Sequence, residues 1–241
     1  MISVVACTKR PAFLNNILLN FTRQELEEKE LILILNTTRV DLEQVKVLVD
    51  SYDIRYQLFQ FKETVSLGEC LNHGIQAAAY ETVSKFDDDD YYGPTYLVEA
   101  YQAITSLKAD LVGKCSFYIY FKDEDELYLY NPHQELAWIP ANDADYQARY
   151  FMSGASLVFK KAILKKVRFP HVNVGEDSLF QQACFQQNMK MYSLSKSNYV
   201  YIRYQETGHH TSDAKKFQIK KRSQWIKNIK EADLYELIDH F

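Results

Sequence analysis

Residues 31–35 read LILIL, five apolar side chains with no polar position between them. A strand with one wet face alternates apolar and polar residues, so a strand that is apolar throughout must be covered on both faces. Only a layered fold does this, and the neighbouring segments supply the layers. Ile2–Cys7 is another short β-branched run, and beyond Lys9-Arg10-Pro11 the positions Phe13, Leu14, Ile17, Leu18 and Phe21 share one helix face. Leu42, Val45 and Val49 mark a second helix, Ile54–Phe59 a third strand, residues 66–80 a third helix and Thr82–Phe86 a fourth strand. Strand and helix alternate three times over. This predicts an α/β chain on a mostly parallel, Rossmann-like central sheet with helices on both faces.

Open α/β sheets gather ligands at the carboxyl ends of their strands. Three polar stretches fall there: Cys7-Thr8-Lys9-Arg10, Asn36-Thr37-Thr38 and Asp87–Asp90. The last, in FDDDDYYGP, sets four carboxylates side by side, with Lys85 the one base next to them. Alone, such a run reads as a solvated acidic turn. At the end of an aromatic strand, with Gly93-Pro94 opening a helix, it suits a hard divalent cation, which favours oxygen ligands. Alternation along an extended strand end would send Asp87 and Asp89 to one side and Asp88 and Asp90 to the other.

Composition narrows the classes. The 241 residues suffice for one large domain, or a core with an appended segment, and 47% of them are apolar. A net charge of −4 gives no basic field for nucleic acid. Cys7, Cys70, Cys115 and Cys184 form no CxxC pair, so neither a zinc site nor a disulfide framework is expected; reduced thiols suit the cytoplasm. No window approaches 18 consecutive apolar residues, which excludes a membrane-spanning helix from the reading.

In the second half, FYIYF and LYLY flank KDEDE, a hairpin whose acidic turn Asp123–Glu126 is expected simply to be solvated. VGEDSLFQQACF places Glu176 and Asp177 at a helix N-terminus, which favours ionised carboxylates; alone, the pair reads as a cap. Residues 198–204 read as the last strand. The tail, KKFQIKKRSQWIKNIK, is basic and expected to be helical, with Phe217, Ile219, Trp225, Ile226 and Ile229 as its apolar positions.

SKFDDDDYYGPTYL resembles the DxD segment of family 2 glycosyltransferases with the GT-A fold. SVVACTKR is similar to that family's first strand and nucleotide-contacting loop, with Thr8 at its usual Thr or Ser position. SGASLVFKK resembles the glycine-bearing loop that lines the donor sugar, GEDSLF the acidic xED motif, and NYVYIRYQETGHHT the C-terminal histidine element. The resemblance implies a GT-A domain over residues 1–212, its nucleotide-sugar half at 1–115 and its acceptor half at 116–212, followed by a helical tail at 213–241. It implies a metal-dependent, inverting glycosyltransferase using a nucleotide-diphosphate sugar, UDP favoured, with Mn2+ or Mg2+. Asp87 would approach the ribose, and Asp89 would bind the metal with His210 or His209; the register using Asp88 with Asp90 stays open. Thr8, Lys9, Arg10, Asn36, Asp88, Gly154, Ala155 and Arg203 would contact the nucleotide sugar, although Lys9 and Arg203 read equally as surface charges. Asp177 would be the general base, with Glu176 holding the acceptor or the loop. Trp138 would stack on an acceptor sugar, or serve as a core or lid residue.

One departure is Asn36-Thr37-Thr38, where the family often has Asp-Asp or Asp-Gly-Ser. The acceptor class is a glycan, wall polymer or lipid-linked sugar. The basic tail would then lie on an anionic membrane surface or pack on the domain. Two other readings compete. A sugar-phosphate nucleotidyltransferase should open with a Gly-rich loop, and ACTKRPAF has no glycine. A non-catalytic carbohydrate- or partner-binding domain would not need both the aspartate run and GED.

Overall fold

The computed structural model describes residues 1–141, 150–204 and 216–239. The first half comprises β1 (Ile2–Thr8), α1 (Leu14–Thr22), β2 (Lys29–Leu35), α2 (Leu42–Asp50), β3 (Tyr56–Gln60), α3 (Leu67–Ala77), β4 (Thr82–Phe86), β5 (Tyr91–Tyr92), α4 (Tyr96–Ser106) and β6 (Leu111–Gly113). There follow β7 (Phe117–Phe121), β8 (Glu126–Tyr130), β9 (Ala137–Trp138), β10 (Val158–Lys160), α5 (Glu176–Gln186), β11 (Met191–Ser193) and β12 (Tyr199–Arg203). The described tail holds α6 (Lys216–Lys221), β13 (Ser223–Asn228) and α7 (Glu231–Asp239).

The central sheet runs β3-β2-β1-β4-β10-β6-β11-β9. β3, β2, β1 and β4 are mutually parallel, whereas β10 enters antiparallel between β4 and β6. The uninterrupted apolar run of β2 has the expected cause. Leu31, Leu33 and Leu35 pack with α1, α2 and α4 on one face, and Ile32 and Ile34 pack with α3 and α5 on the other. Starts of helices follow local chemistry: Ser66 and Glu69 close a reciprocal capping box at α3, and Asp41 accepts the Glu43 amide at α2.

A second sheet, ordered β13-β8-β7-β12-β5, stands beside the first. It corrects two expectations. The tail is not helical throughout, because β13 pairs antiparallel along β8 and covers an edge that would otherwise expose its backbone groups. The acidic hairpin turn is not merely solvated. Glu124 pairs with Lys216 and Lys220, Glu126 with Lys220, and Asp125 with Lys230, so the tail's lysines clamp the turn.

Helix α7 completes the second sheet's core, with Leu234 and Ile238 buried among Tyr91, Tyr118, Tyr120, Val200 and Ile202. Tyr91 follows the aspartate run directly. Its ring lies between Arg23 (4.5 Å) and Tyr235 (4.2 Å), and its hydroxyl donates to the Asp239 carboxylate at 2.8 Å. Among the described residues, no helix is long and apolar enough to cross a membrane.

If the tail is an integral part of the core, Leu234→Ala should lower unfolding free energy by about 2–5 kcal/mol, as for other buried leucines. Phe217→Ala, at a side chain exposed on α6, should change it by no more than about 0.5 kcal/mol. Urea titrations of both variants check this. Equal, small effects would mean the tail contributes nothing to the cooperative unit.

Candidate active site

The carboxyl ends of β1 and β4 open onto a cleft of about 370 Å³. Its far wall is the N-terminus of α5, where Gly175 adopts a left-handed conformation (φ +78°) that turns Glu176 and Asp177 inward. Thr8, Lys9, Arg10, Asn36, Asp87, Asp88, Asp89, Gly154, Ala155, Glu176 and Asp177 all line this cleft. Residues scattered over most of the chain thus meet in one space.

β4 ends at Phe86, and the chain bends through Asp88–Asp90, so strand alternation does not govern the run. Asp87, Asp88 and Asp89 therefore all reach the cleft, and only Asp90 turns away. Each carboxylate has a partner, and Arg10 serves two of them. Asp87 pairs with Lys85. Asp88 accepts from the Thr8 hydroxyl and from Arg10, whose Nε lies 3.1 Å away. Asp89 lies 2.9 Å from Arg10 Nη2. Asp90, buried, accepts from the Tyr199 hydroxyl at 2.7 Å and the Ile202 amide at 3.1 Å. Burial, then Asp89 and Asp87, push the Asp90 carboxyl well above the usual range. The bend itself is held by Asn16 and Asn20, whose side-chain amides donate to the Asp88 and Asp90 carbonyls.

Tyr92 joins the aspartate run to the glycine-bearing loop. Its hydroxyl accepts the Asp87 amide and donates to the Ala155 carbonyl, both at 2.8 Å, while its ring stacks on Phe86. Gly154 is needed for a different reason. A Cβ there would sit 2.7 Å from Asp177 Cβ and overlap the carboxylate, so Asp177 rests directly on the glycine.

Lys85 is the residue that sequence reasoning missed. Its side chain is 5% exposed. Burial lowers its proton affinity, but Asp87, Glu176 and Asp177 together more than restore it. Glu176 is buried, and desolvation raises its carboxyl to about 7 although Lys85 pulls it down. The signal was present in TVSKF: a lysine inside a covered strand needs a carboxylate partner. Phe117 and Tyr201 also face the cleft and add an aromatic surface.

Asn36 lines the cleft, but its side-chain amide also donates to the Lys62 and Val65 carbonyls and so fixes the loop after β3. Arg203 and Trp138 are not among the lining residues. Arg203 donates to the Tyr201 hydroxyl at 2.8 Å, while Trp138, on β9 at the far end of the central sheet, packs edge-on against Tyr192 of β11. His209 and His210 lie outside the described residues. Within those residues no three His, Cys, Asp or Glu side chains are arranged to hold a metal. The chemistry of the acidic loop still fits a hard cation. Asp88 and Asp89 offer oxygen donors, and a guanidinium already bridges them as a stand-in cation.

The sequence model described as Glycosyl transferase family 2 matches residues 3–168. No curated protein matches the sequence. Among solved structures, the chain is similar to S. aureus TarS 1-349 in complex with UDP-GlcNAc, with TM-score 0.66 and 18% identity, covering 86% of this chain and 59% of that one. It is also similar to the mannosyltransferase PcManGT from Pyrobaculum calidifontis in complex with GDP-Man and Mn2+, with TM-score 0.60 and 13% identity, covering 86% and 58% respectively. Against the longer TarS structure the match covers only 36% of that chain. At such identities the likeness is one of fold: a GT-A fold.

Two outcomes follow from this geometry. Gly154→Ala should cost about 1–3 kcal/mol through the clash with Asp177, and combining it with Asp177→Ala, which removes the carboxylate but keeps its Cβ, should recover part of that loss in urea titrations. Additive losses would show that the two residues do not pack together. A carboxyl raised above its unfolded value destabilises the fold as pH rises from the ordinary carboxylate range through about 7. Glu176→Gln should therefore raise the melting temperature at about pH 8 and leave it near wild type at about pH 4. No difference between the two pH values would mean Glu176 titrates normally.

Proposed function

Because the chain belongs to glycosyl transferase family 2, we propose that it moves a sugar from a nucleotide-diphosphate sugar to an acceptor hydroxyl, with metal dependence and inversion at the anomeric carbon. The observation that carries this reading is one cleft with acids on two walls: Asp87–Asp89 at the end of β4, and Glu176 and Asp177 at the start of α5. One wall suits the nucleotide diphosphate and its cation, and the other suits the acceptor. Similar folds bind UDP-GlcNAc in TarS and GDP-Man with Mn2+ in PcManGT, which supports the donor class; UDP is the favoured nucleotide.

In this reading Asp177 is the general base. Its carboxylate takes the acceptor hydroxyl's proton as that oxygen bonds to the anomeric carbon, and the bond to the diphosphate breaks with its electron pair leaving on the phosphate oxygen. Inversion requires attack from the face opposite the leaving group, which an acid on the opposite wall provides. Glu176, whose carboxyl burial raises to about 7, holds the acceptor side of the cleft. Thr8 and Arg10 order the acidic loop, Asp87 approaches the ribose, and Phe117 and Tyr201 offer faces for a sugar ring. Asp89 with Asp88 would hold Mn2+ or Mg2+, which when bound offsets the negative charge of the leaving diphosphate. His210 or His209 is proposed as a further ligand.

The acceptor is proposed as a glycan, a wall polymer or a lipid-linked sugar in the cytoplasm. Membrane contact through the tail rests on fewer cations than the sequence offers. Lys216, Lys220 and Lys230 are engaged with the acidic hairpin, leaving, among the described residues, Lys221, Arg222 and Lys227 beside exposed Phe217 and Trp225.

Thermal shift with UDP- and GDP-sugars, with and without Mn2+, tests the reading. One nucleotide should stabilise the protein, and more strongly with metal. Asp89→Ala should abolish the metal-dependent part. Asp177→Asn should keep binding yet lose transfer by at least about 100-fold, in line with loss of a general base. Transfer at the wild-type rate by Asp177→Asn would remove the base assignment, and no response to any nucleotide would remove the function.

A further inference from the structure

Arg10 bridges the two acids best placed to receive a cation. Its Nε lies 3.1 Å from Asp88 Oδ2, its Nη2 touches Asp88 Oδ1, and the same Nη2 lies 2.9 Å from Asp89 Oδ2. Such a forked, charge-assisted contact is strong and specific to guanidinium. The anions are the more enclosed partners and the cation the more open one. The side chains of Asp88 and Asp89 are 7% and 10% exposed, and Asn16 and Thr8 hold Asp88 in place. Arg10's side chain is 27% exposed, and its guanidinium packs 4.7 Å over the Phe13 ring at the edge of the cleft. When the site fills, Arg10 is the group able to move.

We propose that Arg10 is the resident counter-cation of the acidic loop, yielding Asp88 and Asp89 to a divalent cation only when a nucleotide diphosphate draws the guanidinium away. This rests on the nucleotide-sugar reading above. A cation arriving alone must displace a guanidinium that then has no anion in its place. A diphosphate arriving alone meets the carboxylates of Asp88 and Asp89. Arriving together, each completes the other's exchange: the metal takes the carboxylate oxygens and Arg10 takes phosphate oxygens. The two ligands therefore bind with positive coupling, which must be reciprocal. Arg10 acts here as a positioning residue that sets the order in which the site fills, and it keeps the empty cleft from collecting stray divalent ions.

Mn2+ binding, read from the EPR signal of the free ion, tests this without any turnover. Arg10→Gln should bind Mn2+ alone about tenfold more tightly than wild type, within the usual range of coupling between sites. Saturating UDP, or GDP in parallel, should tighten Mn2+ binding by wild type about tenfold or more, and by Arg10→Gln much less. Arg10→Lys keeps the charge without the fork and should fall between the two. It also carries the comparison if near-UV circular dichroism shows Arg10→Gln misfolded.

Equal Mn2+ affinity in wild type and the folded variant would overturn the proposal. So would UDP binding that is indifferent to EDTA and lost in Arg10→Gln, since Arg10 would then be the permanent cation. Failure of both nucleotides to bind, with or without Mn2+, would overturn the nucleotide-sugar reading itself, a result visible separately from the Mn2+-alone comparison.

Discussion

The repulsion among Asp87–Asp90 is the constraint around which the rest of the cleft is arranged. Four adjacent carboxylates in a partly buried bend would be untenable if they shared one environment. Instead the bend spreads them over several partners: Lys85 for Asp87, Thr8 with Arg10 for Asp88, Arg10 again for Asp89, and Tyr199 with the Ile202 amide for Asp90. Those partners come from β4, from the end of β1 and the loop after it, and from β12, so satisfying the charges also fixes these elements against one another. The acidic loop is held by its own unfavourable electrostatics, each remedy being a tertiary contact.

The opposite wall is tied to that loop through neutral groups. Tyr92 spans from the Asp87 amide to the Ala155 carbonyl, and the loop it anchors carries the Gly154 on which Asp177 rests. Lys85 works across the same gap electrostatically, lying close enough to Asp87, Glu176 and Asp177 for all three to raise its proton affinity. The two sets of acids are therefore held in register by one hydroxyl and one buried ammonium, which flank the aspartate run on either side.

What the sequence made legible follows physical lines. β2 announced itself because the doubly covered run Leu31–Leu35 leaves no polar residue, and β1 and β4 because short strand-like runs alternate with helical spacing around it. Asp87–Asp89 were legible because they fall where a strand ends, and Glu176 and Asp177 because they open a helix. Three features were not. The bend after Phe86 overrode the period-2 reading of the aspartates, since alternation holds only while pairing continues. β13 was concealed because a basic, apolar-spaced stretch satisfies helical periodicity until an unpaired edge such as β8 offers it a ladder. Lys85 was seen beside the aspartates but given no role, because one residue's burial depends on which segments fold over it, here α5 with Glu176 and Asp177, far along the chain.

Tyr91 is latched by Arg23, Tyr235 and Asp239, residues from near the beginning of the chain and from the last described helix. Contacts of such sequence separation bear on how the protein is made as well as on how it stands. The five-stranded sheet joins strands from the middle of the chain to β13 across long intervening segments, a topology of high contact order that closes slowly. The residue that follows the acidic loop is thus synthesised early but latched late. Until α7 docks, the newly made chain carries Tyr91 without Tyr235 and Asp239 beside it.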